Sequence, residues 1–249
     1  MTPFSLAGRR AFVTGANSGI GQAIAQALAA MGAAVTCAGR TEATQTVAAI
    51  RAAGGQAETL HLDLADPMAA QDMFAGQEYT ILVNNAGIIL REDSMDYPED
   101  MWDRVMDVNL KSVFFTSQAF ARALPEAPEA ASRGAIVHVA SVLSFQGGIR
   151  VPSYAAAKHG VAGLAKSMAN EWASQRINVN AIAPGYVRTK NTASLTDDPD
   201  RYEAILQRIP AGRWGEPGDI GWTAAFLCSP AAAYINGAVI NVDGGWLAR

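Results

Sequence analysis

Cysteine is nearly missing from this 249-residue chain, which has only Cys37 and Cys228. Cys37 lies in a strand-like run and Cys228 in a helix-like one, and neither has a metal-ligating neighbour. Two core thiols are expected, and a disulfide framework and a metal site are set aside. Charge of one sign is lacking too: 19 Lys and Arg stand against 23 Asp and Glu, a net charge of −4 with a pI near 5.4. Nucleic acid finds no basic footprint in that balance. No apolar run approaches the ~18 residues needed to cross a bilayer, and the N-terminus has no signal-peptide core. No membrane partner and a cytoplasmic location are therefore expected. Linkers, charge blocks and repeats are absent as well. One domain over 1–249 is favoured, and half of its residues are hydrophobic, enough for a substantial core.

What the chain does contain is alternation. Strand-like runs fall at about 10–14, 33–38, 57–62, 80–84, 134–140, 176–182 and 238–242. Helical patterns fall at about 19–31, 42–53, 67–75, 99–123, 153–174, 199–208 and 217–228. Asp66-Pro67 reads as an N-cap followed by proline at the first helical position. Strands and helices in that order predict an α/β architecture: a Rossmann fold with a doubly wound, seven-stranded parallel sheet and helices on both faces. Ligands of such a sheet sit at the carboxyl ends of its strands.

After the apolar run Ala11-Phe12-Val13 comes Thr14-Gly15-Ala16-Asn17-Ser18-Gly19-Ile20-Gly21, then an amphipathic stretch from Gln22 to Met31. Strand, glycine turn and helix are the context that gives a glycine pattern meaning as a dinucleotide site. Gly15 allows the tight turn and Gly19 lets the backbone approach a pyrophosphate at the helix N-terminus. Gly21 lets the helix pack close to the sheet.

Tyr154 and Lys158 are four residues apart, and a helix projects them from one face. An ammonium beside a phenol favours phenolate and lowers the tyrosine's pKa from its free value of about 10. Ser141, thirteen residues upstream of Tyr154, supplies a hydroxyl that can polarise a carbonyl. Together they suit proton transfer to a ketone or from an alcohol, without a metal.

In order along the chain, TGxxxGxG at 14–21, Asp63, NNAG at 84–87, Asn109, Ser141, YxxxK at 154–158, Pro184-Gly185 and Val242-Asp243-Gly244-Gly245 resemble the short-chain dehydrogenase/reductase family over essentially the full length. The resemblance implies Tyr154 as general acid/base and Ser141 as the residue positioning the carbonyl oxygen. It implies that Lys158 binds the nicotinamide ribose and that Asn109 holds a water in a proton relay. Asp63 and Leu64 would face the adenine, Asn85 and Gly87 the ribose, and Thr189 the carboxamide. Gly15, Asn17, Ser18, Gly19, Ile20 and Gly21, with Ala86, Pro184, Gly185 and Val187, complete the implied cofactor set. Asn109 also reads as a helix-bonding residue and Asp63 as a turn residue.

The end of the second strand, Cys37-Ala38-Gly39-Arg40-Thr41, bears on the cofactor. Members that use NAD carry aspartate where Gly39 stands, and Arg40 can hold a phosphate bidentately or stack on adenine. NADP(H) is favoured, with NAD(H) use left open. The tracts 144–154, 178–186, 208–215 and 243–249 resemble the sugar-acid branch, the gluconate 5-dehydrogenases and 2-dehydro-3-deoxy-D-gluconate 5-dehydrogenases. That resemblance implies a sugar-acid substrate oxidised or reduced at C5. A carboxylate needs a cation, and Arg91 and Arg150 are the candidates, although Arg91 also reads as a solvated loop charge. Gln146, Tyr186 and Ser141 join them as expected substrate contacts, and 186–212 reads as a lid. A 3-oxoacyl-carrier-protein reductase is the rival on the same machinery. A cofactor-sensing module without catalysis is disfavoured, because the catalytic set is complete. Apolar residues on more than one face of 99–123, Val113, Phe114, Phe115 and Phe120, point to a homotetramer.

Overall fold

The computed structural model describes residues 2–126 and 133–249. Among these, the apolar runs form β1 (Arg10–Thr14), β2 (Ala34–Gly39), β3 (Gln56–His61), β4 (Tyr79–Asn84), β5 (Gly134–Val139), β6 (Ile177–Pro184) and β7 (Val239–Val242). They pair in parallel in the order β3-β2-β1-β4-β5-β6-β7. The helices are α1 (Gly19–Ala30), α2 (Thr44–Ala52), α3 (Glu99–Met106), α4 (Ser112–Ala123), α5 (Pro152–Trp172), α6 (Ala193–Thr196), α7 (Pro199–Leu206) and α8 (Pro217–Leu227).

Side chains alternate across each strand, so the sheet feeds two cores. Val13, Val35, Cys37, Val83 and Val137 pack with Ile24 and Leu28 of α1, Ile50 of α2 and Ile220 of α8. Phe12, Leu82, Ile136 and Ala181 pack on the other face with Phe120 of α4 and Val161, Ala165 and Met168 of α5. Cys37 and Cys228 are both free thiols buried in the first core. A third, smaller cluster sets Val142, Ile209, Trp214 and Trp246 beneath α6 and α7. Among the described residues, no helix is long and apolar enough to cross a membrane.

Two helical expectations fail. Residues 67–75 form consecutive turns, with Ala69, Gln71 and Met73 each bonding back three residues. Asp66 does accept the Met68 N–H, but the segment is pinned by tertiary packing. The Phe74 ring meets Phe12, Tyr79 and Phe120 edge-on, at centroid distances of 5.0, 5.9 and 5.6 Å. Burying Phe74 and Ala70 there outweighs the local propensity. The run 99–123 is likewise not one α-helix: a π-turn at Asp107–Lys111 separates α3 from α4.

The sheet brings the ends of β1, β4, β5 and β6 to one edge, and each is followed by one of the sequence motifs: Gly15, Asn85-Ala86-Gly87, Ser141 and Gly185.

Candidate active site

The floor of this edge is built from backbone and two polar side chains. Gly15 turns at φ +66, a left-handed conformation that glycine adopts freely, and its N–H donates to Ala38 O at 2.7 Å. Asn85 Nδ2 donates to the carbonyls of Thr14 and Gly15 at 3.0 and 3.1 Å. Thr14 Oγ1 in turn accepts the N–H groups of Asn85 and Ala86, both at 3.0 Å. A Cβ at Gly21 would overlap the Gly15 carbonyl and the Asn85 amide, so α1 starts directly against the turn. Ser18 precedes α1 in an extended conformation without a side-chain cap, which leaves the first-turn N–H groups directed at the edge.

Ser141, Tyr154 and Lys158 meet across this floor. Ser141 leaves β5 extended, its Oγ accepts the Leu143 N–H at 3.1 Å, and its hydroxyl acts on the Tyr154 phenol. Pro152 occupies the first turn of α5, with Tyr154 two residues on and Lys158 a turn later on the same face. Lys158 is buried. Its Nζ donates to Val139 O at 2.6 Å and lies 5.5 Å from the Tyr154 ring centroid. Burial pushes the Tyr154 phenol up to about 12, against the hydrogen bond from Ser141 and the charge of Arg91. Burial pulls Lys158 down to about 8. The expectation that Lys158 lowers the tyrosine is thus not met in this state. Desolvation dominates, the ammonium is committed to Val139, and the charge of Arg91 offsets only part of the rise.

Asn109 sits in the π-turn and is fully buried. Its Oδ1 accepts the Ile88 N–H and its Nδ2 donates to the Ile88 carbonyl, both at 2.8 Å. The side chain therefore fixes the strand exit after NNAG, and Val108 beside it lines the cavity. Such π-turns widen a helix locally and recur at functional sites.

A cavity of about 340 Å³ runs along the edge. Every residue expected to hold a dinucleotide lines it: Gly15, Asn17, Ser18, Gly19, Ile20 and Gly21, then Arg40, Asp63 and Leu64. Asn85, Ala86 and Gly87, then Pro184, Gly185, Val187 and Thr189, complete the wall beside Ser141, Tyr154 and Lys158. A close-approach glycine turn, uncapped helix amides and a buried ammonium fit an elongated diphosphate-bearing cofactor. Thr41, Lys190, Asn191 and Thr192 line it too, beyond the residues expected to hold the cofactor. Thr189 and Thr192 form a reciprocal capping box, whose T-x-x-T spacing was the available signal.

The expected substrate contacts divide. Arg91 lies outside the cavity wall; its guanidinium donates to O of the lining residue Asn191 at 3.4 Å and its charge reaches Tyr154. Arg150 is not an open cation: it pairs with Glu92 at 3.3 Å and Asp93 at 3.4 Å. Gln146 is half-buried outside the cavity wall. The Tyr186 ring belongs to the third cluster, 5.5 Å from Trp214 and 4.7 Å from Trp246, and burial raises its phenol. The expected lid carries α6 and α7. Asp198 caps α7, and Tyr202 stacks on Trp214 at 5.4 Å. Among the described residues, no group of three His, Cys, Asp or Glu is placed to hold a metal.

Comparison with known proteins agrees with this construction. The family model described as enoyl-(acyl carrier protein) reductase matches residues 15–247. A 2-dehydro-3-deoxy-D-gluconate 5-dehydrogenase of Bacillus subtilis is 49% identical over 251 residues, covering 99% of this chain and 97% of its own length. Among solved structures, a protein of Agrobacterium tumefaciens with bound NADP is 60% identical with a TM-score of 0.96, covering 100% of both chains. A gluconate 5-dehydrogenase of Burkholderia cenocepacia in complex with NADP and tartrate is 34% identical with a TM-score of 0.91, covering 99% of this chain and 98% of that one. With a family match across nearly its whole length and the motifs gathered on one cavity, the chain belongs to the short-chain dehydrogenase/reductase family.

Proposed function

We propose that the protein is an NADP(H)-dependent oxidoreductase that interconverts a secondary alcohol and a ketone at C5 of a hexonate such as gluconate or 2-dehydro-3-deoxy-D-gluconate. The observation that carries this reading is the placement of Arg91. Its guanidinium has no carboxylate partner among the described residues, donates to the carbonyl of the cavity-lining Asn191 at 3.4 Å and acts through its charge on Tyr154, at the rim where a sugar acid needs a cation. The identity to curated sugar-acid dehydrogenases over 99% of the chain supports the same substrate class.

The chain's own groups divide the work. Tyr154 moves the proton: its phenol, which burial keeps protonated at neutral pH, is the acid for ketone reduction. Ser141 orients the carbonyl oxygen. Lys158 and Asn109 hold the ribose side and the Ile88 exit in place. Arg91, with Ser141, meets the substrate, and the third cluster carrying Tyr186 backs the lid. The bound nicotinamide supplies the hydride donor or acceptor. The residues from Gly15 to Gly21, with Asp63, Leu64, Asn85 to Gly87, Pro184, Gly185, Val187 and Thr189, would hold the dinucleotide. Arg40 and Thr41 line the cavity beside Gly39 and suit a 2′-phosphate, and NADP in two similar structures supports that choice. NAD(H) use at lower efficiency is compatible with the same wall. Two buried free thiols accord with a cytoplasmic site of action.

Four outcomes are expected. Initial rates with a panel of hexonates, a neutral hexitol and an acetoacetyl thioester should show turnover of a hexonate and a preference for NADPH over NADH. Turnover of the thioester alone would make the protein a 3-oxoacyl-carrier-protein reductase instead. Tyr154→Phe should cut kcat by at least about 10³-fold while cofactor binding, read by fluorescence titration, stays intact; substantial residual turnover would mean the proton takes another path. A Cβ at Gly39 meets only ordinary contacts, with Thr41 O at 3.4 Å and Asn17 Oδ1 at 3.7 Å. Gly39→Asp should therefore fold and shift the NADPH/NADH ratio of kcat/KM toward NADH by about tenfold or more, and an unchanged ratio would remove Arg40 and Gly39 from cofactor choice. Finally, Phe114 and Phe115 of α4 are left half-buried, at a ring-centroid distance of 5.1 Å, and would be covered in a homotetramer. Sedimentation should give four 26.1 kDa chains, and a monomer would refute the assembly.

A further inference from the structure

Two segments flank the mouth of the cavity: 88–97, which follows NNAG, and 144–153, which precedes Tyr154. Arg150 in the second stands at φ +62, a conformation strained for any side chain that carries a Cβ. Gly147 and Gly148 lie just upstream, yet the left-handed position itself holds an arginine. What that arginine supplies is its guanidinium. One nitrogen lies 3.3 Å from Glu92 Oε1 and another 3.4 Å from Asp93 Oδ1, while the Arg150 carbonyl accepts the Glu92 N–H at 3.1 Å. Deeper down, the same segments are joined by Tyr97. Its hydroxyl lies 2.7 Å from Oγ of the buried Ser153 and donates to Leu90 O at 3.2 Å.

Stability does not account for the strained arginine. The three side chains are 51%, 39% and 68% exposed, and exposed ion pairs contribute little. Charge does account for it. Glu92 and Asp93 follow Arg91 directly, so this exposed cation, whose charge reaches Tyr154, has two carboxylates as chain neighbours. Left unpaired, they would compete for Arg91 and repel an anionic substrate at the mouth. Their paired state is visible at Glu92, whose carboxyl the Asp93 N–H and the Arg150 guanidinium hold below the usual carboxylate range.

We propose that Arg150 determines specificity without touching the substrate: by pairing with both Glu92 and Asp93 it offsets half of their negative charge and holds the two carboxylates away from Arg91, which is then left to meet a substrate carboxylate. This rests on the sugar-acid reading above, because only an anionic substrate would sense the difference. Arg150 is thus a positioning and charge-balancing residue, and Tyr97–Ser153 is the separate tie that keeps segment 88–97 in place.

The test compares the Michaelis constants for an anionic hexonate, 2-dehydro-3-deoxy-D-gluconate, and for neutral galactitol, with an inhibition constant in place of the latter if galactitol is not turned over. Wild type, Arg150→Gln and the triple variant Arg150→Gln/Glu92→Gln/Asp93→Asn are measured at low salt. Arg150→Gln should weaken the preference for the anion about fivefold, with the loss shrinking as salt is added. The triple variant lacks every ion pair of this strap and loses two negative charges for one positive, so it should restore the preference at least to that of wild type. An unchanged ratio in Arg150→Gln, equal losses for both compounds, or failure of the triple variant to restore it would each overturn the proposal. An anion preference that survives Arg91→Gln would instead overturn the sugar-acid assignment of Arg91, and with it this role for Arg150.

Discussion

One knot of hydrogen bonds, between Thr14 at the end of β1 and Asn85 just beyond β4, holds the functional edge together. Thr14 Oγ1 takes two backbone donors and Asn85 Nδ2 serves two backbone carbonyls, so four groups that a strand end would leave unpaired are satisfied by two side chains. The knot stands where the strand order reverses, with β2 on one side of β1 and β4 on the other. Chain leaving β1 runs to one face and chain leaving β4 to the opposite face, and the crevice between them is the cavity. The absence of a Cβ at Gly21 lets α1 start against the knot itself. Ser141 and Gly185, at the ends of the next two strands, inherit their places from the same register.

Within that frame, environment assigns each cation a different task. Lys158 is buried, bonded to Val139 O and pulled down to about 8, so its charge is held close to the floor. Arg91 is exposed, bonded to Asn191 O, and its charge reaches Tyr154. Arg150 is spent on two carboxylates. Three positive side chains within one site thus differ in reach because burial and partners differ, not because of residue type. The raised phenol of Tyr154 follows from the same balance, since removal from water costs a phenolate more than Ser141 and Arg91 return.

How much of this was legible in the sequence depends on where the information resides. Backbone position follows from motif spacing, so the expected dinucleotide residues all fall on one wall, and the strands lie within about two residues of their periodic runs. What escaped was decided by partners far along the chain. Arg150 looked like a substrate cation because its counter-ion Glu92 is 58 residues away. Tyr186 looked like a substrate contact because Trp214 and Trp246, which take its ring, follow much later. The helix expected over 67–75 yielded to the burial of Phe74 among three rings from other elements. The π-turn at Asp107–Lys111 leaves no mark on a 3.6-residue periodicity, and only the buried demand of Ile88 for Asn109 explains it.

The position of β1 has a consequence for how the molecule is made. It is made before the other six strands of the sheet, yet it lies inside that sheet, and its partner β4 begins at Tyr79. Thr14 and Asn85 are 71 residues apart. At roughly 5–20 residues per second a growing chain waits several seconds before that contact is available. During that interval β1 can pair only with β2, and one of its edges stays open. Loop closure over such a separation is slow and costs entropy before it is rewarded. The cradle at the strand ends therefore forms late, as a product of the assembled sheet centre, and a nascent chain ending before β4 carries the glycine turn without the tie that shapes it.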